Sequence, residues 1–443
     1  MLFSLFESVL DKYTPAPRQI VLAFSGGMDS RVMLDLLATY RDIHSQHQYL
    51  VIHVHHGLSP NADTWLAQCE RWAEEADFAF KGIRVSLTHK GESLEKAARD
   101  ARYQAILKSV DDNALVLTGQ HADDQAETFL LALKRGSGPA GLAAMPETRT
   151  MGHAELCRPL LEAHRKTIGE YAESQGLTWV EDESNLDNRF DRNFIRQEWL
   201  PVANKRWPGL TKAINRTANH CAEQELLLDE LLISYDAEVI GEDASFSIDK
   251  VSSYSMVLQR ALVRRWLKCV GKVSLSQAQL GEVFSSVINA AQDANPALRL
   301  SQGEVRRYQN KLWFVVHYQD ISDWDSLLAV DRTVQLPDNL GVLALTKAKN
   351  GAPGLKLRTP RTDEPLRVIF DPERLFAHPV GRQGKRKLKK LFQEYGVPSW
   401  LRRRTPILLY GDTVAAVGDL FVCNDYVGDE CELVWHKSQA LNA

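Results

Sequence analysis

The hexapeptide Ser25-Gly26-Gly27-Met28-Asp29-Ser30 stands between the apolar run Ile20-Val21-Leu22-Ala23-Phe24 and a stretch with helical spacing that begins near Arg31. A strand that turns on two glycines into a helix start exposes several unpaired backbone N–H groups, and the helix dipole adds its positive end to the same spot. Glycine is needed there so that the backbone can approach a ligand closely. The ligand such a turn suits is a phosphate. The Ser25 and Ser30 hydroxyls can donate to phosphate oxygens, whereas Asp29, repelled by bare phosphate, is suited to holding a Mg2+ ion that bridges to it.

From residue 18 to about 185, short apolar runs alternate with longer stretches at helical period, the pattern of an α/β fold with a doubly wound parallel sheet. Strands are expected near 19–24, 49–54, 79–86, 115–118 and 177–181, with helices near 29–40, 61–77, 93–109, 121–134 and 164–175. Ligands of such sheets sit beyond the carboxyl ends of the strands, which gathers residues 25–30, His55-His56-Gly57 and the start of the 121–134 helix. The glycine-rich segment 134–146 is expected to be a substrate loop. Beyond Trp207-Pro208-Gly209, helical patterns at 210–235 and 256–270 and strand-like runs around 304–317 indicate a helical or mixed middle domain. A Lys/Asn/Gly/Pro stretch at 347–354 then precedes a small α+β C-terminal unit. The expected boundaries are 1–210, 211–345 and 355–436.

The 443 residues suffice for two or three domains with separate cores. No apolar stretch approaches the length of a membrane span, and the N-terminus lacks the features of a signal peptide, so a soluble, cytoplasmic protein is expected. The six cysteines (69, 157, 221, 269, 423 and 431) show neither CxxC nor zinc spacing, which suits reduced thiols. A net charge of −4 leaves nucleic acid open as a partner, because a local basic patch is enough to bind it.

The segment His121-Ala122-Asp123-Asp124-Gln125-Ala126-Glu127-Thr128 follows the strand Leu115-Val116-Leu117. At about 100° per residue, His121, Asp124, Glu127 and Thr128 share roughly a third of the helix circumference, with Asp123 beside Glu127. This acidic wall could seat magnesium or a cationic substrate, and His121 could touch phosphate or move a proton. The same acids would also complement a helix dipole with no further role. Arg99 and Arg102 lie three residues apart on one helix face, placed either to clamp a phosphate or to form surface ion pairs. Acids at 181–187 give way to Arg192 and Arg196, which could reach RNA or ATP. Between Gly381 and Arg404 stand nine basic residues against Glu394. Leu388, Leu391, Phe392 and Tyr395 form an apolar stripe beneath them, so a helix there turns lysines outward, toward a phosphate backbone.

No lysine follows the glycines of the hexapeptide, so it is not a Walker loop. It resembles instead the pyrophosphate loop of the ATP pyrophosphatases, which cleave ATP to AMP and pyrophosphate. Taken with 53–58 (HVHHGL), 99–103 (RDARY), 121–128, the loop 136–142, Arg158-Pro159-Leu160-Leu161, 182–185 (DESN) and 192–196 (RNFIR), the chain resembles the tRNA(Ile)-lysidine synthetase family. The C-terminal segments 384–394 and 397–400 extend the resemblance over the whole length. The resemblance implies an adenine nucleotide α-hydrolase-like N-terminal domain, with ATP and Mg2+ as cofactors and no membrane. Its partners would be the CAU-anticodon isoleucine tRNA and L-lysine, and the working form could be a homodimer. It implies ligation of lysine to C2 of the wobble cytidine after adenylation of the base.

The resemblance further implies nucleotide binding by Ser25, Gly26, Gly27, Met28, Asp29 and Ser30. Catalytic or lysine-binding roles fall to Asp29, Arg102, His121, Asp124 and Glu127, and magnesium to Asp29 and Asp123. Contacts to tRNA fall to Arg192, Arg196, Arg382, Lys385, Arg386, Lys389, Lys390, Arg402 and Arg403. Two rival readings are a thiolation enzyme on the same fold and a non-catalytic tRNA-binding module. The first would need a sulfur-bearing cysteine or an iron–sulfur triplet, and no suitable spacing is present.

Overall fold

The computed structural model describes residues 1–57, 59–86, 94–181, 183, 187–291, 294–348 and 354–438, with no side-chain detail for 94–96. The expectations for Asp182, Ser184 and Asn185 lie outside the described residues. The chain divides into two compact units, Met1–Leu228 and Asp229–Ala443. No helix among the described residues is long and apolar enough to cross a membrane.

The first unit begins with α1 (Leu2–Tyr13), β1 (Gln19–Ala23), α2 (Met28–Ile43), β2 (Gln48–His55), α3 (Ala62–Glu75), β3 (Ala79–Arg84) and α4 (Leu94–Leu107). It continues with β4 (Leu115–Leu117), α5 (Ala122–Lys134), α6 (Pro139–Leu142), β5 (Thr148–Met151), β6 (Ala154–Cys157) and α7 (Arg165–Ser174). After α8 (Asp191–Phe194), a π-helical turn Ile195–Trp199 leads into α9 (Leu200–Arg206) and the 30-residue α10 (Leu210–Val239).

The sheet order is β3-β2-β1-β4-β6-β5, parallel except for the edge strand β5, which pairs antiparallel with β6. Strands β1 and β4 are central and apolar throughout because both sheet faces are covered. Ile20 and Leu22 point into one core with Phe6, Leu10, Leu36, Trp72 and Ile168. Val21 points the other way, to Ile106, Val116 and Leu156.

The expected strand at 177–181 is not formed. Its alternation comes from Leu177, Trp179 and Val180 packing against the first core, and the Val180 N–H bonds to the Gly26 carbonyl at 3.0 Å instead of joining a ladder. The sheet is completed by the β5–β6 hairpin, which turns at Gly152 with φ +60°. Its strands are only four residues long and carry Arg149 and Glu155, so they lack an apolar signature. Within the 134–146 segment, expected to be a loop, Pro139 starts the short helix α6.

In the second unit, Trp266 of helix Met256–Gly271 centres a core with Phe246, Leu280, Val305 and Leu312. A four-stranded antiparallel sheet that includes Gly303–Tyr308 and Lys311–Val316 lies against it. A further core is enclosed by a five-stranded and a four-stranded sheet and by the helix Leu388–Glu394. Strands Asp325–Leu328 and Val342–Lys347 pair with Leu366–Ile369 and Cys431–His436, so they share sheets with the C-terminal segment. Leu388, Leu391 and Phe392 are fully buried, as their spacing predicts.

Replacing Phe392 with Ala should destabilise the second unit by about 3–5 kcal/mol. Lys389→Ala on the exposed face of the same helix should stay within about 0.5 kcal/mol of wild type. Urea unfolding curves check both, and equal losses would contradict the packing described.

Candidate active site

The turn at 25–30 connects β1 to α2. Gly26 adopts φ +84°, and a Cβ there would lie 2.7 Å from Cys69 Sγ and 2.9 Å from Val180 Cγ2. Both the left-handed backbone and the close floor therefore demand glycine. Gly27 caps α2 in an extended conformation without a side-chain cap, which leaves the first-turn N–H groups for a ligand. Ser25 and Ser30 hydroxyls lie 3.0 Å apart, and Ser30 Oγ donates to the Gly27 carbonyl at 2.9 Å, so the two serines brace the turn. His53 of β2 approaches the Phe24 carbonyl at 2.9 Å. Burial lowers its pKa to about 4, which keeps it neutral as a brace for the end of β1.

The β4–α5 connection comes down on this turn at Gly119, where a Cβ would sit 3.4 Å from Asp29 backbone and side-chain carbons. His121 follows, buried, with Nε2 3.7 Å from Asp29 Oδ2 and 3.4 Å from Asp124 Oδ2. Its backbone N–H donates to Asp124 Oδ2 at 3.1 Å. The phosphate turn and the carboxylate wall thus meet across one imidazole.

The wall is not a bare acidic surface. Arg196, on the π-helical turn, donates from Nε to Glu127 Oε1 at 2.6 Å, and from one terminal nitrogen to Glu127 Oε2 and Asp124 Oδ1, both at 2.9 Å. Arg192 donates to Thr128 Oγ1 at 2.8 Å and brings its Nε within 3.4 Å of Glu127. Burial raises the Glu127 carboxyl above its usual range, an effect that Arg196 and Arg192 partly offset. Burial works to lower the Arg196 pKa, and its bonds to Glu127 outweigh that and hold it high. Two carboxylates and two guanidiniums therefore form one nearly neutral network. Charge spacing alone did not reveal it, since 69 residues separate Glu127 from Arg196.

Asp29 Oδ1 is buried without a hydrogen-bond partner, and burial raises the carboxyl above its usual range despite His121 and Arg165. An orphaned carboxylate oxygen beside a phosphate turn fits a Mg2+ ion that would take its remaining ligands from substrate phosphates and water. Asp123 Oδ2 accepts the Arg165 N–H at the start of α7 at 2.8 Å, so that oxygen is already engaged. Among the described residues no group of three or more His, Cys, Asp or Glu side chains forms a protein-only metal cage. Arg102, on α4, donates from Nε to His56 Nε2 at 3.3 Å, with His56 kept neutral by burial at a pKa of about 4.

In the second unit, Lys385, Lys387, Lys389 and Lys390 are exposed. The arginines are largely spent within the fold. Arg382 and Arg386 pair with Glu394, Arg403 pairs with Glu373, and Arg402 donates to the Val397 carbonyl. Arg404, counted in the basic patch from sequence, is buried, paired with Asp338 at 2.8 Å and stacked on Tyr318. The outward positive face is thus chiefly lysine.

Residues 4–203 match the PP-loop domain family, 246–313 the TilS substrate binding domain and 366–438 the TilS substrate C-terminal domain. A tRNA(Ile)-lysidine synthase from Vibrio campbellii is 48% identical over 447 residues, covering 99% of both chains. Another from Vibrio parahaemolyticus is 49% identical over 437 residues, covering 98% of this chain and 99% of its own. Among solved structures, the U34-tRNA thiolase NcsA from Methanococcus maripaludis, with its [4Fe-4S] cluster, aligns with 50% of this chain and 80% of its own. It does so at 16% identity and a TM-score of 0.41.

Gly26→Ala should destabilise the protein by about 1–3 kcal/mol, since it combines left-handed strain with a clash, and should weaken ATP binding at least about tenfold. Thermal melts and nucleotide titration check this, and wild-type values in both would contradict it. Arg196→Gln leaves the buried Glu127 with only Arg192 as a counter-charge and should cost about 2–4 kcal/mol, less than a fully buried pair because Arg196 is partly exposed. Adding Glu127→Gln should recover much of that loss, whereas strictly additive losses would mean the two side chains are not coupled.

Proposed function

The chain belongs to the tRNA(Ile)-lysidine synthase family, and from that premise we propose that it ligates L-lysine to C2 of the wobble cytidine, C34, in the CAU-anticodon isoleucine tRNA. ATP supplies the energy and leaves as AMP and pyrophosphate. Identity of 48–49% along the whole chain supports the activity. The observation in the fold that carries the reading is the single imidazole, His121, standing between Asp29 of the phosphate turn and Asp124 of the carboxylate pair. It makes one pocket of a nucleotide site and an amine site.

In the first step the C2 oxygen of cytidine attacks the α-phosphorus of ATP, and the bond to the bridging oxygen of the diphosphate breaks. The N–H groups at the start of α2, in the turn that Ser25 and Ser30 brace, hold the departing diphosphate in place. Asp29 would hold Mg2+, which supplies charge neutralisation on that leaving group. Arg102, steadied through Nε by His56, faces the charge that develops on the α-phosphate. In the second step the lysine ε-amine attacks C2 and AMP leaves with the oxygen. Asp124 and Glu127 seat the ammonium of the amino acid, which takes over the partners that Arg196 and Arg192 satisfy beforehand. His121 is placed to take a proton as the amine attacks.

Work is divided along the chain, with chemistry at 1–210, substrate binding from 211, and a lysine-rich tRNA grip at 355–436. The expected boundary at 345 moves back to about 320, because strands Asp325–Leu328 and Val342–Lys347 belong to the sheets of the C-terminal segment. Lys385, Lys389 and Lys390 supply most of that grip, with Arg382, Arg386, Arg402 and Arg403 at its margins. Thiolation is disfavoured because Cys69 and Cys157 are buried, with pKa values pushed to about 12 by that burial, so neither offers a thiolate.

AMP should form only when ATP, lysine and the CAU-bearing tRNA are all present. Radiolabelled ATP with each component omitted checks this, and equal turnover without lysine or without tRNA would overturn the assignment. Removing residues 355–443 should weaken tRNA binding and flatten its salt dependence while ATP binding survives, whereas an unchanged salt slope would count against the lysine-rich grip.

A further inference from the structure

Three arginines gather on the α4 side of the sheet, and among the described residues no carboxylate lies within ion-pair distance of them. The Arg149 guanidinium, on edge strand β5, lies 5.1 Å from the Tyr103 ring centroid, and that of Arg99, on α4, lies 5.8 Å from it. Arg158, just past β6, is only 3% exposed. Among the described residues, the guanidinium makes one hydrogen bond, to the Pro146 carbonyl at 2.6 Å. The Nε atoms of both Arg149 and Arg158 are buried and have no acceptor. Burial lowers the Arg158 pKa to about 10, and repulsion from Arg149 and Arg99 adds to that effect. Among the described residues, none of the three makes an ion pair with a carboxylate.

Such an arrangement is costly for a purely structural device, since a buried cation with unmet donors and like charges nearby loses solvation without compensation. An arginine kept only to hold the Pro146 carbonyl would not need two further guanidiniums beside it. An oxyanion would supply the missing acceptors and relieve the repulsion, and arginine forks match phosphate oxygens.

We propose that Arg99, Arg149 and Arg158 form an anion site that holds a backbone phosphodiester of the RNA substrate. The site rests on the tRNA reading above. Phosphate could also come from the nucleotide, but the sheet order argues against it. At about 4.8 Å per strand, β5, which carries Arg149, lies about 14 Å across the sheet from β1, which carries the phosphate turn, and β6, which leads to Arg158, lies about 10 Å from it. A diphosphate held in that turn does not reach so far, whereas a polynucleotide presents phosphates along its length. Filling the site fixes the RNA on the sheet edge beside the pocket, so that cytidine entry and backbone grip are coupled.

The test is binding of the CAU-anticodon tRNA to the full chain over a range of salt concentrations, with wild type, Arg149→Gln, Arg149→Lys and Arg99→Gln. Arg149→Gln should weaken binding about tenfold and reduce the slope of log K against log salt by about 0.7–0.9, the loss of one phosphate contact. Arg149→Lys should restore the slope, because it restores the charge, and Arg99→Gln should act in the same direction less strongly. ATP affinity should match wild type throughout, and the thermal midpoints of the Gln variants should be no lower than that of wild type, because each removes a like charge. An unchanged slope in Arg149→Gln overturns the site, as does an unchanged slope with weakened inhibition by inorganic pyrophosphate, which would assign the cluster to the leaving group. Wild type that modifies tRNA while the variants bind normally sinks this proposal alone. Wild type that binds tRNA without modifying it sinks the proposed activity alone, and wild type that binds no tRNA sinks both.

Discussion

The close approach of the β4–α5 turn to the glycine turn at 25–30 is the contact on which the site depends. At Gly119 the two turns are already packed together, since a Cβ there would sit in ordinary contact, 3.4 Å from Asp29 carbons. With that approach made, His121 reaches from the start of α5 to Asp29 at 3.7 Å, and the Asp124–Glu127 pair is fixed one helical turn further in. Since β1 and β4 are hydrogen-bonded neighbours in a sheet covered on both faces, neither half of the site can drift from the other.

The doubly wound sheet was legible because β1, β2 and β4 are near-continuous apolar runs bounded by turn residues and helical spacing. The hexapeptide and the 121–128 segment were legible for a different reason. They combine residue types that packing alone would not select at those spacings. The sequence misled at 177–181, where apolar alternation serves to roof the Gly26 turn, and it was silent at β5 and β6, whose four-residue strands carry charge. Periodicity reports which face is covered, not whether the cover is a ladder or a lone strap.

Charge was the property hardest to read. A run of acids at 121–128 and a run of bases at 192–196 look like two surfaces, yet Arg196 closes both into one network with Glu127 and Asp124. The reverse holds at 382–404, where most of the arginines turn out to be tied to Glu394, Glu373, Asp338 or the Val397 carbonyl, and the exposed lysines keep the positive face. Arg149 and Arg158 show the third case, cations whose Nε atoms folding buries without an acceptor. Sequence separation hides all three, because ion pairing depends on which strands and helices become neighbours.

Under the proposed function, a diphosphate-holding turn and an amine-seating carboxylate pair act on one base. The most direct measurement is mass spectrometry of nucleosides from CAU-anticodon isoleucine tRNA after incubation with the protein, ATP and isotopically labelled lysine. Wild type should form a cytidine carrying the labelled lysine at position 34, and Glu127→Gln should lose it. An unmodified cytidine, a sulfur-bearing nucleoside, or an undiminished lysine adduct in Glu127→Gln would contradict that function.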